Sequence, residues 1–239
     1  MIARLIKFEF KNLIRDRMTL MFLVYPFLVG FLGNMFLEDY ANQEHTVQVI
    51  VISLSIISGV VFGAMGGFSI MDDRDDHVFT SINISPLNIR FYVWFKVAFV
   101  TILGFFSNFI IYYMIDMKIS LGLYALFTAL ASLQIPIHAF IINALASNKV
   151  EGFMAMKGSG FLMIFPIVSF FFLDWKQWIF SFAPAFWVFK AFQYELASPA
   201  IDLGLIEMYL NTNLYLIIGF AYNLVLITLL YGVFKKKYL

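Results

Sequence analysis

The chain has 239 residues, of which 62% are hydrophobic and 13% are charged, with a formal net charge of +1 and no cysteine. Stretches without Asp, Glu, Lys or Arg run over 19–37, 45–71, 97–115, 119–148, 158–173 and 208–234, and several exceed the roughly 20 apolar residues that cross about 30 Å of hydrocarbon. This composition excludes a soluble globular domain, a disulfide framework and thiolate chemistry, and the small net charge gives no sign of nucleic-acid binding.

Residues 1–19 predict an amphipathic helix lying in the inner membrane interface. Its cations fall within one helical arc, opposite an apolar arc: Arg4, Lys7, Lys11 and Arg15. A helix of this kind lies with its apolar side in the acyl boundary and its cations among anionic headgroups, or serves only as a topogenic anchor. Glu9 falls near the apolar arc, so we expect it to face protein, although a tilt of the helix would expose it to water.

Six transmembrane helices are predicted, over 20–37, 47–71, 91–115, 120–146, 158–173 and 213–234. With six spans, thirteen of the sixteen Lys and Arg residues fall on one side of the membrane and three on the other. Because basic residues favour the cytoplasmic side, both termini are expected inside. In the second span Gly59, Gly63 and Gly67 are spaced four apart, which permits close helix contact within the bundle or at a dimer seam.

The loop after the second span begins with the sequence DDRDD at Asp72 to Asp76. Asp72, Asp73 and Asp76 spell DDxxD, the arrangement by which some membrane prenyltransferases hold magnesium and a diphosphate. Such a site needs a second aspartate-rich element on the same side, and only Glu9, Asp16 and Glu151 remain there. A membrane-embedded, metal-dependent lipid or prenyl-transferring enzyme is therefore the alternative interpretation.

The same loop resembles the signature of ABC-2 type transporter permeases, which is close to EREQGTLELLLVSPISxxxxxxGK. Asp73, Arg74 and Asp75 take its charged opening, and Ser85 and Pro86 fall on its S/T-P pair. The remaining matches are the apolar positions and the lysine ten residues after the proline: Phe79, Ile82, Ile84 and Lys96. The departures are His77 for the glycine, Val78 for the threonine and Thr80 for the second glutamate.

The resemblance implies that residues 72–86 form a coupling helix that fits a cleft in a cytoplasmic ATPase. Its acidic end would begin the helix, where carboxylates suit the helix dipole, and Pro86 would end it. Phe79 and Ile82, three apart, would give it an exposed apolar face. The alternative is a solvated loop whose charges only keep it inside.

Polar and helix-breaking residues in the fourth span are Pro136, His138 and Asn143. Ionisable groups inside the membrane are candidates for function, so these residues are assigned to a possible pathway. Interhelical hydrogen bonds and packing explain such residues equally well.

The sequence SNKVEGFMAMKGSGFLMIFPI at 147–167 resembles the loop between the fourth and fifth spans of small ABC-2 permeases, including fluoroquinolone and other antibiotic exporters. Asn148, Lys149 and Glu151 in this loop are assigned to ATPase coupling with the residues of 72–86. Residues 174–212 are apolar but rich in tryptophan, and they predict short helices that re-enter the outer leaflet. The resemblance covers nearly the whole chain.

Together these features predict a single all-α domain, the permease subunit of a bacterial exporter in the cytoplasmic membrane. The chain has no GxxxxGK[ST] motif, so the resemblance implies that a separate ATPase subunit binds ATP and magnesium, and that this chain is not an enzyme and holds no cofactor or metal. A second permease chain, identical or paralogous, would complete the pathway among membrane lipids for a hydrophobic or amphipathic drug, antibiotic, peptide or lipid. A scaffold that transports nothing is the third interpretation.

Overall fold

The computed structural model describes residues 2–15, 17–39, 44–115 and 119–239. These residues form α-helices, one 3-10 helix and the turns between them, with no strand in the described ranges. The helices are α1 Ile2–Arg15, α2 Arg17–Asp39, α3 Glu44–Asp75, α4 Val78–Asn83, α5 Ile89–Ile115, α6 Leu121–Ser132, α7 Gln134–Leu145, α8 Lys149–Phe161, α9 Ile164–Ser169, α10 Phe186–Asp202 and α11 Thr212–Tyr238. The predicted all-α fold is confirmed.

Within the described ranges, five helical segments are long and apolar enough to cross a membrane: Ile52–Asp75, Ile89–Ile111, Leu121–Leu145, Lys149–Ser169 and Thr212–Tyr238. A sixth is obtained if α1 and α2, which meet at a bend of 78°, are taken as one span. The protein is therefore a multi-pass membrane protein. The bend separates α1 from α2, which begins at Arg17. The interfacial location of α1 stays a prediction, and residues 1 and 16 of the predicted 1–19 helix lie outside the described ranges.

Two spans differ from their predicted form. The fourth is divided between α6 and α7 at Leu133, because Pro136 lies in the first turn of α7, where its missing N–H group leaves no helical bond unmade. The helix that contains the predicted fifth span begins at Lys149, nine residues before the predicted start at 158, because residues 149–157 are helical although they include the charged Lys149, Glu151 and Lys157. A second break between α8 and α9 precedes Pro166 in the same way.

Helices α3 and α7 form the centre of the bundle, and the glycines of α3 set how closely they approach. A Cβ atom built on Gly59 would lie 2.5 Å from the Cβ of Gln134, and one on Gly63 would lie 2.6 Å from the Cβ of His138. Gly67 faces Ile142 in the same row. The glycine stripe thus packs against α7 within the chain.

The segment 174–212 contains a 3-10 helix, Trp175–Phe180, and α10. Buried within it, Lys190 donates hydrogen bonds to the carbonyl oxygen of Phe172 and to Oε1 of Gln193, each at 2.7 Å. Burial away from any carboxylate partner lowers the pKa of the Lys190 ammonium to about 7. The outer-leaflet location of this segment stays a prediction.

Candidate functional site

The charged residues of the signature loop end a helix and do not begin one. Asp72 to Asp75 form the last turn of α3, and the chain then reverses at His77, which has φ 56° and ψ 23°. The prediction that these carboxylates begin the coupling helix is therefore corrected. At the C-terminus of a helix the dipole disfavours each carboxylate by about 0.3–1 kcal/mol. We therefore expect cations from other helices to lie beside these carboxylates and offset that cost.

The left-handed conformation of His77 explains one departure from the signature. Among the described non-glycine residues His77 alone has positive φ, and it occupies the position at which the signature carries glycine. Glycine adopts this conformation without the steric penalty of a Cβ atom. The turn geometry that the signature glycine serves is thus kept here by a histidine.

The apolar face of α4 is turned into the protein. Phe79 and Ile82 are 8% and 7% exposed and pack in a cluster with buried residues of α5, α7 and α11. The predicted exposed apolar face is wrong for these two residues, because a six-residue helix lying across the bundle buries the side that faces α5. Its outward side carries Thr80 and Ser81, and Ile84 just beyond its end is 89% exposed.

The turn that follows α4 is held by side-chain bonds. The Ser85 hydroxyl donates to the carbonyl oxygen of Ile82 at 2.8 Å and accepts from the N–H of Leu87 at 3.2 Å. Pro86 lies exposed between them. Asn88 Oδ1 then accepts from the N–H of Arg90 at 2.8 Å, as a cap at the start of α5. Ile84 is thereby presented on a structured loop.

Lys96 joins three helices behind this loop. Its ammonium on α5 contacts Oδ2 of Asp73 on α3 and lies 3.7 Å from Oε1 of Glu9 on α1. It also donates to the carbonyl oxygen of Ser69 at 3.3 Å, while the Tyr92 hydroxyl donates to Asp73 Oδ2 at 2.8 Å. Lys96 is 2% exposed and Glu9 4% exposed, so this is a buried charge network whose rupture would leave uncompensated charge.

The start of α8 is closed by a capping box. Asn148 Oδ1 accepts from the N–H of Glu151 at 3.0 Å, and Glu151 Oε2 accepts from the N–H of Ser147 at 2.7 Å. This reciprocal pair satisfies helix N–H groups that would otherwise lack partners. Lys149, the first residue of α8, lies 2.7 Å from Oδ1 of Asp72. Both side chains of that ion pair are about half exposed, and the pair ties α8 to the end of α3.

The C-terminal end of α11 is fixed to the same place. The Arg74 guanidinium donates to the carbonyl oxygen of Ser147 at 3.0 Å and lies 4.2 Å from the centre of the Tyr238 ring. The Tyr238 hydroxyl donates to the carbonyl oxygen of Ala146 at 3.0 Å. Lys237 donates to the carbonyl oxygen of Ala144 at 3.3 Å. The ends of α3, α7, α8 and α11 are thus linked into one unit. Together with α4, the turn after it and the Lys96 network, we call this unit the charged end.

In the ranges that the structure describes, Pro136, His138 and Asn143 of the fourth span take no part in the ion pairs of the charged end. His138 is fully buried beside Gly63, and neither ring nitrogen has a hydrogen-bond partner among the described residues. Asn143 Nδ2 donates to the carbonyl oxygens of Gly67 at 2.9 Å and Ala139 at 3.0 Å. Asn143 therefore joins α7 to α3, and the assignment of Pro136, His138 and Asn143 to a pathway stays a prediction.

The DDxxD alternative gains no support from the arrangement of its carboxylates. Asp72 pairs with Lys149, and Asp73 with Lys96 and Tyr92, so an ammonium or hydroxyl group already contacts one oxygen of each of these two carboxylates. Within the described ranges no three His, Cys, Asp or Glu side chains are placed to hold a metal ion.

Two contributions to the charged end were absent from the predicted set. Tyr92 lies one turn before Lys96 on α5, and both reach Asp73, a spacing that indicates one helix face. Tyr238 contacts Arg74 from the far end of the chain. No local pattern relates Tyr238 to residue 74, because the contact depends on how α11 packs against α7.

A sequence model of the family described as "Fluoroquinolones export permease protein Rv2686c-like" matches residues 9–231. Two similar proteins are the fluoroquinolones export permease proteins Rv2686c and MT2760 of Mycobacterium tuberculosis, from strains H37Rv and CDC 1551 respectively. Each is 23% identical over 249 residues, and the alignment covers 96% of this chain and 92% of the relative. The family match therefore includes the end of α1, all of α2 to α10, and α11 as far as residue 231.

Proposed function

Because the chain belongs to the Rv2686c-like family of fluoroquinolones export permeases, we propose that it is the transmembrane permease subunit of an ATP-driven exporter. A separate ATPase subunit binds and hydrolyses ATP with magnesium, and this chain supplies the pathway and the surface that the ATPase pushes on. The observation that carries the proposal is the family match over 9–231 combined with an exposed, structured apolar tip at Ile84.

The ATPase docks on two adjacent surfaces of the charged end. The first is the outward side of α4 with its following turn, where Ile84 is 89% exposed and Pro86 is exposed beside it. The second is the first turns of α8, where Val150 and Met154 are 72% and 69% exposed. Exposed apolar side chains ringed by charged ones are typical of protein interaction sites. The Asp72–Lys149 ion pair ties α8 to the end of α3, from which the chain turns into α4.

Force from the ATPase passes into the spans through the contacts of the charged end. Movement of α4 acts on α3 through the turn at His77 and on α5 through Lys96 and Asp73. The Arg74 contacts to Ser147 and Tyr238 carry the same movement to α8 and α11. Coupling of this kind requires that ATP binding favour one of two arrangements of these helices.

The exporter contains two permease chains, identical or paralogous, and lies in a bacterial cytoplasmic membrane with both termini inside. The excess of Lys and Arg at 4–17, 74–96, 149–157 and 235–237 supports this orientation. Its substrate is a hydrophobic or amphipathic compound that reaches the pathway from the inner leaflet or the cytoplasm. The relatives are named for fluoroquinolone export, which makes a fluoroquinolone the first probe.

Transport is tested in inside-out membrane vesicles that contain the chain and its co-purifying ATPase. Fluoroquinolone fluorescence inside the vesicles is expected to rise on addition of ATP and to stay flat with a non-hydrolysable analogue. Ile84→Asp should abolish the ATP-dependent part, while Glu207→Gln, at an exposed carboxylate of the segment 174–212, leaves it unchanged. ATP-dependent accumulation that is equal with Ile84→Asp contradicts the docking role, and accumulation that is independent of ATP contradicts the exporter.

A further inference from the structure

A cleft of about 500 Å³ opens at the charged end between α1, α3, α5 and α8. One side of the cleft is apolar and includes Phe22, Met65, Phe68 and Phe153. The other side is lined by charged groups of α1, α3, α5 and α8. Small-molecule sites commonly have volumes of about 300–1,000 Å³, apolar walls and a few converging polar groups.

The inner wall of the cleft carries an excess of negative charge. Glu9 and Asp73 face a single ammonium, that of Lys96, and the ammonium contacts Asp73 and donates a hydrogen bond to the carbonyl oxygen of Ser69. Glu9 is 4% exposed, and its Oε1, 3.7 Å from Lys96 Nζ, has no hydrogen-bond donor in the described part of the chain. A buried carboxylate in this condition carries a large desolvation cost.

The rim does not supply the missing positive charge. Lys149 is paired with Asp72 at 2.7 Å, and Asp76 and Arg15 are exposed to solvent. Across the whole lining four carboxylates face three cations. The cleft as a whole therefore favours a positively charged occupant over a negative one.

We propose that this cleft binds an organic cation with an apolar body. The cationic group lies beside Glu9, and the body packs against Phe22, Met65 and Phe68 on the apolar wall. Such a compound collects at the membrane interface in which the predicted interfacial helix α1 lies. That the bound cation is a substrate of transport rests on the proposed export function, whereas its binding to the cleft does not.

Binding is tested with tetraphenylphosphonium, a cation with a compact apolar body, and with tetraphenylborate, which has nearly the same shape and the opposite charge. Equilibrium dialysis of the purified chain in maltoside micelles is expected to give saturable binding of the cation above the level in empty micelles, and none of the anion. Glu9→Gln should weaken the cation at least tenfold, a loss of about 1.4 kcal/mol. The matched control is Glu207→Gln, an exposed carboxylate outside the cleft, which should bind as the unaltered chain does.

A second variant keeps the test decisive if Glu9→Gln does not fold. Phe153 lies at the rim with 41% exposure, so Phe153→Ala is expected to retain the fold and to weaken the cation several-fold. Thermal unfolding of each variant separates lost binding from lost structure. Equal binding of cation and anion, or equal affinity in folded Glu9→Gln and the unaltered chain, overturns the inference and leaves Glu9 to be neutralised by a proton.

The natural occupant is either a soluble amphiphile or the amine headgroup of a membrane lipid, and both share the proposed chemistry. Repeating the measurement in nanodiscs of phosphatidylglycerol alone or with phosphatidylethanolamine distinguishes them. Competition by the amine lipid identifies a lipid occupant, and unchanged affinity identifies a soluble one. All of these measurements use the isolated chain, so their outcome is separate from that of ATPase co-purification. Cation binding by a chain with which no ATPase co-purifies would refute the exporter and keep the site. A co-purifying ATPase with no cation binding would keep the exporter and refute the site.

Discussion

Replacement of Gly63 by alanine tests the close packing of α3 on α7. The added Cβ would lie 2.6 Å from the Cβ of His138 and 3.0 Å from the carbonyl oxygen of Ile135. His138 is fully buried and the second contact is backbone, so neither atom moves aside freely. Overpacking of this kind costs about 1–3 kcal/mol. If the free energy of unfolding falls by about 2 kcal/mol, the Tm of a chain of this size is expected to fall by roughly 4–8 °C.

The matched control is Gly158→Ala in α8, where a Cβ meets nothing within 4 Å. It should leave stability unchanged or raise it by about 0.5–1 kcal/mol, because alanine is the better helix former. Thermal unfolding of the purified chain in detergent, followed by tryptophan fluorescence, compares the variants. Equal Tm values for Gly63→Ala and Gly158→Ala would refute the contact between α3 and α7 and move the glycine stripe to an interface between chains.

Three further changes test particular contacts. His77→Gly should stabilise the protein by about 1 kcal/mol, because glycine adopts the left-handed turn without strain. Thr80→Gly within α4 should instead destabilise it by about 0.3–0.5 kcal/mol, since threonine is itself a weak helix former; equal unfolding temperatures would contradict the turn. Phe79→Ala should lower the free energy of unfolding by about 3 kcal/mol because the Phe79 side chain is buried, and Ile84→Ala should lower it by less than about 0.5 kcal/mol. A larger loss for Ile84→Ala than for Phe79→Ala in denaturant unfolding would mean that the Phe79 side of α4 faces outward. Burial lowers the pKa of Lys190 to about 7, so above that pH the folded chain binds fewer protons than the unfolded chain. The free energy of unfolding of the unaltered chain, relative to that of Lys190→Met, should therefore rise between about pH 7 and 10. A constant difference in Tm over this range would contradict the burial.

Much of the fold follows from the chain's own periodicity and composition. The absence of charged residues over about 20 positions at a time fixes where spans occur, and the regular arc of Arg4, Lys7, Lys11 and Arg15 indicates the separate helix before them. The helix bounds differ from the predicted spans where polar side chains lie within a helix, by four residues at the end of α3 and by nine at the start of α8. Polarity marks where the membrane ends, whereas a helix can extend beyond it, as α8 does where Asn148 caps its first turn.

The orientation of α4 was not predictable from local pattern. Phe79 and Ile82 define an apolar face whether that face meets a partner or the chain's own α5. Only the packed bundle shows that the inward side is already occupied, and that the exposed apolar residue is Ile84. The exposed apolar surface of this loop is therefore at Ile84 and not at Phe79 and Ile82, and the coupling role of the loop stays a prediction.

Contacts between distant parts of the charged end are likewise invisible in the sequence. The expectation that Glu9 faces protein was correct, since it is buried 3.7 Å from Lys96. Its partner lies 87 residues away along the chain, and the Arg74–Tyr238 contact spans still more. Separations of this size carry no periodic signal, because they are fixed by which helices pack together.

The central claim, that this chain is a permease driven by a separate ATPase, is tested most directly by what co-purifies with it. The chain is tagged at its C-terminus, extracted in mild detergent from its native membrane, and its partners are identified by mass spectrometry. The account predicts a stoichiometric P-loop ATPase that is retained with Glu207→Gln and lost with Ile84→Asp, while thermal unfolding of both variants matches that of the unaltered chain. A folded, tagged chain that brings down no ATPase in any of several detergents would contradict it.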